Sequence, residues 1–281
     1  MIIDCHTHLN RYDASQPASL AERRDLLRAE MDRHGIAHAL VLTSYLVNPD
    51  RPGTEEVLDL LEGDPRFGVV AGVPWPVCEA GDFAALRGLL AAGRLRGLKL
   101  YPGYAPFSLS DARMRPVYEL AAEFGVPVMI HTGDTFARQA KVRFAHPLQA
   151  DEVAVDHRET TFVLCHFGNP WFLDAAEVVY KNENVLADVS GLTLGEWEPR
   201  FQRVARARLD EAVAYVNDPS KLLFGTDWPI SAMGGYLRFV DELDLTAEER
   251  EGMMWKNAAR VFGIDVDALG GSGRRADGAA G

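Results

Sequence analysis

The sequence begins Met1-Ile2-Ile3-Asp4-Cys5-His6-Thr7-His8, a short apolar run that ends in two histidines. Runs of this length recur along the chain with helix-length segments between them, which is the pattern of parallel βα units rather than of hairpins. The eight runs are residues 1–8, 38–44, 67–74, 95–101, 126–132, 161–167, 185–190 and 221–227. Eight consecutive βα units predict a single (β/α)8 TIM barrel, because an open doubly wound sheet usually has fewer strands.

The segments between the runs carry signals for helix ends. Ser110 is expected to cap a helix that stops at Gly125, where a left-handed residue ends it. Thr246 and Glu249 have the spacing of a capping box, and this last helix is expected to continue to about Phe262. These signals support the alternating layout and indicate no function.

The length of the chain suits one barrel. Its 281 residues are close to the roughly 250 that a barrel commonly needs, so we predict one domain over residues 1–269. Residues 270–281 read Gly-Gly-Ser-Gly-Arg-Arg-Ala-Asp-Gly-Ala-Ala-Gly, which predicts a flexible C-terminal tail.

Composition and charge exclude several classes of protein. Hydrophobic residues make up 47% and charged residues 25%, so the chain is not mostly disordered. The net charge of −12 argues against a nucleic-acid partner, because affinity for phosphates comes largely from Lys and Arg. The first residues lack the basic start and apolar run of a signal peptide, and no stretch of eighteen apolar residues follows. We therefore expect a cytoplasmic protein with no membrane partner.

The cysteines do not form a recognisable framework. Cys5, Cys78 and Cys165 are odd in number and far apart, which argues against disulfides. Cys5 and Cys165 each precede a histidine in a predicted strand, so strand alternation is expected to point their sulfurs away from those histidines, as buried packing groups.

Residues that bind metals stand at the ends of predicted strands. His6 and His8 lie two apart, so both imidazoles face one side of the first strand. His131, His166 and Asp227 end the fifth, sixth and eighth runs, and barrel enzymes build their active sites from the carboxyl ends of the strands. A buried imidazole or carboxylate without a partner is costly, and coordination to a cation removes that cost. The donors suit Zn²⁺ first, with Mn²⁺ or Fe²⁺ as alternatives.

Lys99 lies near the end of the fourth run and has three open interpretations. It could bind a substrate carboxylate, stabilise the site as a buried ammonium group, or carry a carbamate that bridges two metals. Other residues that follow strands are candidates for contact with a flat or anionic small molecule. They are Asn10, Arg11, Trp75, Tyr101, Tyr104, Trp171 and Trp228.

The set of motifs resembles the amidohydrolase superfamily, and specifically amidohydrolase family 2, from His6 and His8 to the closing segment 257–263. The resemblance implies that His6, His8, His131 and Asp227 are metal ligands. It implies that His166 is either catalytic or a ligand of a second metal. Superfamily members with two metals use a carbamylated lysine on the fourth strand, so Lys99 as a ligand and a count of one or two ions stay open.

Two reactions are compatible with these residues. The leading hypothesis is hydrolysis of a small amide, lactone or ester by an activated water, with Asp227 accepting a proton and His166 stabilising charge or moving a proton. The alternative is nonoxidative decarboxylation of an aromatic or unsaturated carboxylic acid. A metal-dependent nuclease and a noncatalytic binding protein are further alternatives, and the acidic balance argues against the nuclease. Barrels of this kind often pair, so a homo-oligomer is an open expectation.

Overall fold

The eight apolar runs become the eight strands of one parallel sheet. The structure, a computed structural model, describes residues 1–75 and 80–270. Its strands are β1 (Ile3–Thr7), β2 (His38–Leu42), β3 (Phe67–Gly72), β4 (Gly97–Leu100), β5 (Val128–His131), β6 (Phe162–Cys165), β7 (Val185–Asp188) and β8 (Leu222–Leu223). Each strand pairs with the next in chain order. The N–H of Cys5 donates to the oxygen of Phe224, and the N–H of Asp227 donates to that of His6, which joins β8 to β1. The predicted (β/α)8 barrel is confirmed.

Helices cover the outside of the barrel. They are α1 (Leu20–His34), α2 (Thr54–Leu61), α3 (Ala80–Ala91), α4 (Arg115–Phe124), α5 (Leu148–Asp156), α6 (Phe172–Lys181), α7 (Pro199–Val216), α8 (Met233–Asp241), α9 (Ala247–Glu251), α10 (Asn257–Phe262) and α11 (Val266–Gly270). A π-helical turn, Gly252–Lys256, joins α9 to α10. Within the described residues, no helix has both the length and the apolar character needed to cross a membrane. Helix α11 takes in the first residue of the predicted tail, and the rest of that tail lies outside the described residues.

Most predicted helix ends are confirmed. Gly125 ends α4 in the left-handed conformation with φ 62°, and Thr246 and Glu249 form the capping box of α9. The predicted cap at Ser110 is wrong. A 3-10 turn precedes α4, and the Asp111 side chain, one residue later, accepts the backbone N–H that needs a cap.

Apolar side chains pack on both faces of the sheet. A large cluster lies between the strands and the helices, and a smaller one fills the barrel interior, where Met129, Val163 and Leu186 meet Phe262 of α10. The amide of Asn257 donates to the carbonyl oxygens of Pro219 and Leu222, which fixes α10 across the amino-terminal end of the barrel. The closing segment 257–263 therefore covers the amino-terminal end of the barrel.

The expected orientation of the two cysteines beside histidines is wrong, whereas their expected burial is confirmed. Cys5 and Cys165 are buried in the barrel interior, on the same side as the neighbouring histidines, and neither forms a disulfide within the described residues. In β1, three residues advance from Asp4 to Thr7 while β2 advances by two, so an extra residue resets the alternation before His6. After β6, a left-handed residue, His166 with φ 64°, has the same effect. Cys78 lies outside the described residues.

His38 is a buried histidine at the amino end of β2, remote from the carboxyl ends of the strands. It is 3% exposed, and its Nδ1 donates to the carbonyl oxygen of Pro65 at 3.0 Å. Its Nε2 has no hydrogen-bond partner among the described residues. Burial lowers the pKa of His38 from 6.5 to about 4.

This lowered pKa predicts a pH-dependent contribution to stability. The unfolded chain takes up a proton near pH 6.5 and the folded chain only near pH 4, so the contribution is complete above pH 6.5 and is lost as the pH falls. We expect the free energy of unfolding of wild type, minus that of His38→Gln, to decrease by about 2 kcal/mol between pH 7 and pH 5. Urea unfolding followed by circular dichroism measures this difference. An equal difference at both pH values would contradict the assignment.

Candidate metal centre

Five predicted residues meet at the carboxyl end of the barrel. They line a cavity of about 550 Å³, and each is at most 8% exposed: His6, His8, His131, His166 and Asp227. Alternation along β5 carries His131 inward. The bulge in β1 and the left-handed backbone of His166 bring in the residues that regular alternation would point elsewhere. The sequence rule that placed them at strand ends therefore identified residues that are neighbours in space.

The hydrogen bonds of His6 and His8 determine which ring nitrogens face the cavity. Nδ1 of His8 lies 2.8 Å from the carbonyl oxygen of Leu42, which can only accept, so Nδ1 carries the hydrogen. Nδ1 of His6 lies 3.0 Å from Oδ2 of Asp188 and, facing a carboxylate, also carries the hydrogen. In the neutral rings both Nε2 atoms are therefore bare. They lie 3.1 Å (His8) and 3.7 Å (His6) from Oδ1 of Asp227.

This arrangement fits a cation. Oδ1 of Asp227 is buried, and no group in the described part of the chain donates a hydrogen bond to it. The two bare nitrogens and this oxygen present only lone pairs to one another, which is unfavourable unless a positive charge lies among them. Donor atoms of His6, His8 and Asp227 all lie within 4.8 Å of one another. Two imidazoles and a carboxylate suit a divalent zinc, manganese or iron ion.

Electrostatics favour the ionisation states that metal ligands need. Burial lowers the pKa of His6 to about 4, and it also lowers the pKa of His131 and of His166, so these rings are neutral at pH 7. Burial opposes ionisation of Asp227, but contacts with His8 and the other imidazoles outweigh it and hold the pKa of Asp227 below its usual range. Neutral imidazoles and an ionised carboxylate are the forms that coordinate.

His131 and His166 form a second pair beside this set. Nε2 of His131 donates to the carbonyl oxygen of Asp134 at 2.9 Å, and Nδ1 of His166 donates to that of Ser190 at 3.1 Å. Their other nitrogens, both bare in the neutral rings, face each other at 3.1 Å. A shared proton or a second cation would give both bare nitrogens a bonding partner. The pair can thus take part in proton transfer or bind an ion. The sequence left both roles open for His166 and predicted His131 as a metal ligand, and both stay predictions.

Asp188, which the sequence reasoning missed, orients two of these histidines. Its Oδ2 accepts from His6, and its Oδ1 accepts the backbone N–H groups of His166 and Ser190, each at 3.0 Å. Burial opposes its ionisation, but the contact with His6 and the hydrogen bonds hold the pKa of Asp188 below its usual range. It ends β7 as His131 ends β5, so the strand-end rule, applied to every strand, would have found it.

Lys99 extends from β4 to the floor of the cavity, which is the part formed by the four histidines and Asp227 at the strand ends. It is 1% exposed, and its Nζ lies 2.6 Å from Sγ of Cys165 and 5.3 Å from the centre of the Tyr101 ring. Cys165 also lies with His6 and Asp188 in a second group of closely spaced donors. Burial raises the pKa of the Cys165 thiol, although Lys99 opposes that effect. The three interpretations of Lys99 stay predictions.

The residues predicted to contact substrate separate into two groups. Asn10, Tyr101 and Tyr104 line the cavity. Four others are not among its lining residues: Arg11, Trp75, Trp171 and Trp228. Trp75 stacks on Phe107 with ring centres 4.5 Å apart, and Trp171 packs against His146. The wall also holds residues that the sequence did not single out, among them Tyr12, Tyr45 and Arg51.

Comparison with known proteins identifies the family of the chain. Residues 3–264 match the family model Amidohydro_2, described as "Amidohydrolase", and the chain belongs to the amidohydrolase family. The match spans the strands, the histidines and Asp227. No curated protein matches the sequence.

Solved structures with the same fold are similar over almost their full length. A protein from Pseudomonas putida named "Putative 2-Pyrone-4,6-Dicarboxylic Acid Hydrolase" is 21% identical, with a TM-score of 0.68 and coverage of 94% of this chain and 98% of that one. The 5-carboxyvanillate decarboxylase of Sphingomonas paucimobilis is 16% identical, with a TM-score of 0.67 and coverage of 94% and 99%. An amidohydrolase of Burkholderia multivorans with bound zinc is 21% identical, with a TM-score of 0.65 and coverage of 94% and 100%. At these identities the likeness shows the fold.

Gly191 provides a test of the packing around the centre. Its φ is 60°, and a Cβ there would lie 2.5 Å from Nδ1 of His166 and 2.6 Å from Oδ2 of Asp227. Gly191→Ala must displace one of these side chains, and we expect affinity for Zn²⁺ to fall by about 10- to 100-fold, the usual effect of disturbing groups that orient a metal site. Competition with a chromogenic chelator measures this affinity.

Gly195 offers a matched control. It has nearly the same backbone conformation, φ 64°, but a Cβ there meets no atom of the described residues within 4 Å. Gly195→Ala should carry a similar backbone strain and leave the affinity for Zn²⁺ unchanged. Equal loss in both variants would show that backbone strain, and not the contact with His166 and Asp227, accounts for the effect.

Proposed function

We propose that the protein is a metal-dependent hydrolase that acts on a small-molecule lactone, amide or ester, with the ion held by His6, His8 and Asp227. The observation that carries the proposal is the placing of the two Asp227 oxygens. Oδ1 faces the bare nitrogens of His6 and His8, whereas Oδ2 lies 4.0 Å from Nδ1 of His166. One carboxylate can thus hold an ion with one oxygen and accept a proton with the other. A similar fold with bound zinc supports Zn²⁺ as the ion.

The chemistry divides between the ion and the protein. A bound divalent ion supplies Lewis acidity, which favours ionisation of water and polarises a carbonyl group. Oδ2 of Asp227 accepts the proton that the water loses. Asp227 then returns this proton to the leaving group. The rings of His131 and His166 are fixed by Asp134 and Ser190, and their bare nitrogens, 3.1 Å apart, can hold a proton that stabilises negative charge in the cavity.

Decarboxylation is the competing reaction, and the same residues would serve it differently. Asp227 or His166 would have to donate a proton to the carbon that loses carbon dioxide. The lowered pKa of Asp227 keeps the carboxylate ionised at neutral pH, so it has no proton to donate to carbon and is in the form that can accept one from water, which favours hydrolysis. The names of similar structures include both a hydrolase and a decarboxylase, so the reaction has to be measured.

The product of the reaction separates the two functions. The metal-loaded protein is incubated in H₂¹⁸O with a panel of unsaturated lactones, aryl esters, amides and aromatic acids. We expect one ¹⁸O atom in the product and no release of carbon dioxide. Asp227→Asn should lower turnover by at least about 10²- to 10⁴-fold, since it removes the proton acceptor. Asp13→Asn, at an exposed carboxylate on the rim of the same cavity, should keep most of the activity. Carbon dioxide without ¹⁸O incorporation, or turnover retained in Asp227→Asn, would overturn the proposal.

The number of ions tests the part played by Lys99. Its Nζ faces Cys165, and the closely spaced set of His6, His8 and Asp227 forms without it. We expect one metal ion per folded chain in wild type and in Lys99→Met, both produced with added zinc and bicarbonate and measured by plasma mass spectrometry. Two ions in wild type that fall to one or none in Lys99→Met would instead support a carbamate bridge.

A further inference from the structure

The wall of the cavity contains a cation without an anionic partner. Arg51 lies in the loop after β2 and is partly buried. Its guanidinium carbon is 5.5 Å from the centre of the Tyr12 ring. Within residues 1–75 and 80–270, no carboxylate or other acceptor pairs with this guanidinium, whereas the neighbouring Asp50 is paired with Arg11. Five N–H donors of a group that is always charged are therefore left for another partner.

The loop that carries Arg51 is held in place. The backbone of Arg51 exchanges two hydrogen bonds with that of Asn48, at 2.9 and 3.0 Å. The carbonyl oxygen of Asp50 accepts from the backbone N–H of Arg11 at 2.7 Å and from the guanidinium of Arg23 at 3.2 Å. Arg23 itself is only 3% exposed. This anchoring restricts the loop, which lowers the entropic cost of binding a ligand at Arg51. The backbone of Arg11 helps to hold the loop through its hydrogen bond to Asp50.

Four tyrosines surround the space that Arg51 faces. Tyr12, Tyr45, Tyr101 and Tyr104 all line the cavity, and the rings of Tyr45 and Tyr101 lie 5.3 Å apart. Burial raises the pKa of each phenol, and in each case the positive charge of Arg51 opposes the effect. The phenols stay neutral and offer aromatic surface rather than negative charge.

The acidic groups of this cavity do not form an ion pair with the guanidinium of Arg51. Asp13 and Asp134 are exposed at the rim, and neither pairs with it. The Asp13 carboxylate accepts from Ser15, and Asp227 belongs to the metal centre on the floor. A ligand that reaches from the floor to the wall thus meets a metal site at one end and an unpaired guanidinium at the other.

We propose that Arg51 binds a carboxylate of the substrate that is not the reacting group, so that the substrate is a flat, unsaturated or aromatic acid. The proposal rests on the function proposed above and adds the class of substrate. A guanidinium and a carboxylate form two parallel hydrogen bonds, and the aromatic wall accommodates a planar ring between them and the floor. A neutral substrate of the same shape leaves Arg51 unpaired.

Two probes that differ by one carboxylate test this proposal. Isophthalate has two carboxylates on one ring and benzoate has one, so only isophthalate offers Arg51 a carboxylate beyond the one that binds at the floor. Isothermal titration of zinc-loaded wild type should give a Kd for isophthalate about tenfold below that for benzoate, the effect expected of one charge-assisted contact. In Arg51→Met the two values should become equal, and in Arg51→Lys part of the preference should return.

Arg143→Met is the matched control. Arg143 lies over the Phe144 ring, 4.5 Å from its centre, in a loop at the same end of the barrel, and it does not line the cavity. This variant loses the same charge and should keep the preference for isophthalate. Loss of the preference in both variants would indicate a general effect of charge.

The outcomes keep the two proposals separate. A preference that persists in folded Arg51→Met, or wild type that fails to prefer isophthalate, overturns the role of Arg51 without touching the hydrolysis. Carbon dioxide release in the isotope experiment overturns hydrolysis and leaves the isophthalate result standing. Melting temperatures and zinc content of each variant, equal to those of wild type, show that a changed Kd arises at Arg51.

Discussion

The contact between Oδ1 of Asp227 and the bare nitrogens of His6 and His8 is the constraint on which the site depends. Each ring is locked by a hydrogen bond on its far side, to Asp188 or to Leu42, so neither ring can turn a hydrogen toward the carboxylate without losing that bond. Three sets of lone pairs are thus held together in a buried place. A cation would relieve the repulsion, so the fit of this site to a metal ion depends on groups that would not themselves touch the ion.

A regular barrel would not bring these groups together. Alternation along a strand points every second side chain inward, yet Cys5 and His6, and likewise Cys165 and His166, all face the interior. A bulge achieves this in β1 and a left-handed residue does so after β6. Residues other than glycine cost of order 1–3 kcal/mol in that conformation. The apolar barrel interior and its cover by α10 provide the packing that keeps the backbone there.

Much of this could be predicted from the sequence, and the failures share a cause. Apolar runs fix the strands, and the ends of parallel strands meet, so His131 and Asp227 could be brought together without coordinates. The cysteine orientations failed because a bulge and a left-handed residue leave no reliable mark in one sequence. Arg51 was missed for a related reason. The role proposed for Arg51 depends on the lack of an anionic partner for its guanidinium. Ion pairs between distant loops cannot be predicted from the spacing of residues in the sequence.

The difference between strands and loops explains why membership of the family does not determine which reaction is catalysed. The floor of the cavity is built from strand ends, whose positions the barrel dictates, and structures under 25% identical to this chain share that fold. The wall is built from loops, and loops vary without disturbing the core. Arg51 and the tyrosines belong to the wall, where we propose that they contact parts of a substrate that do not react. Binding energy gained there would position the reacting group over the floor, so on this proposal the choice of substrate lies in the loops and the capacity for the chemistry lies in the strands.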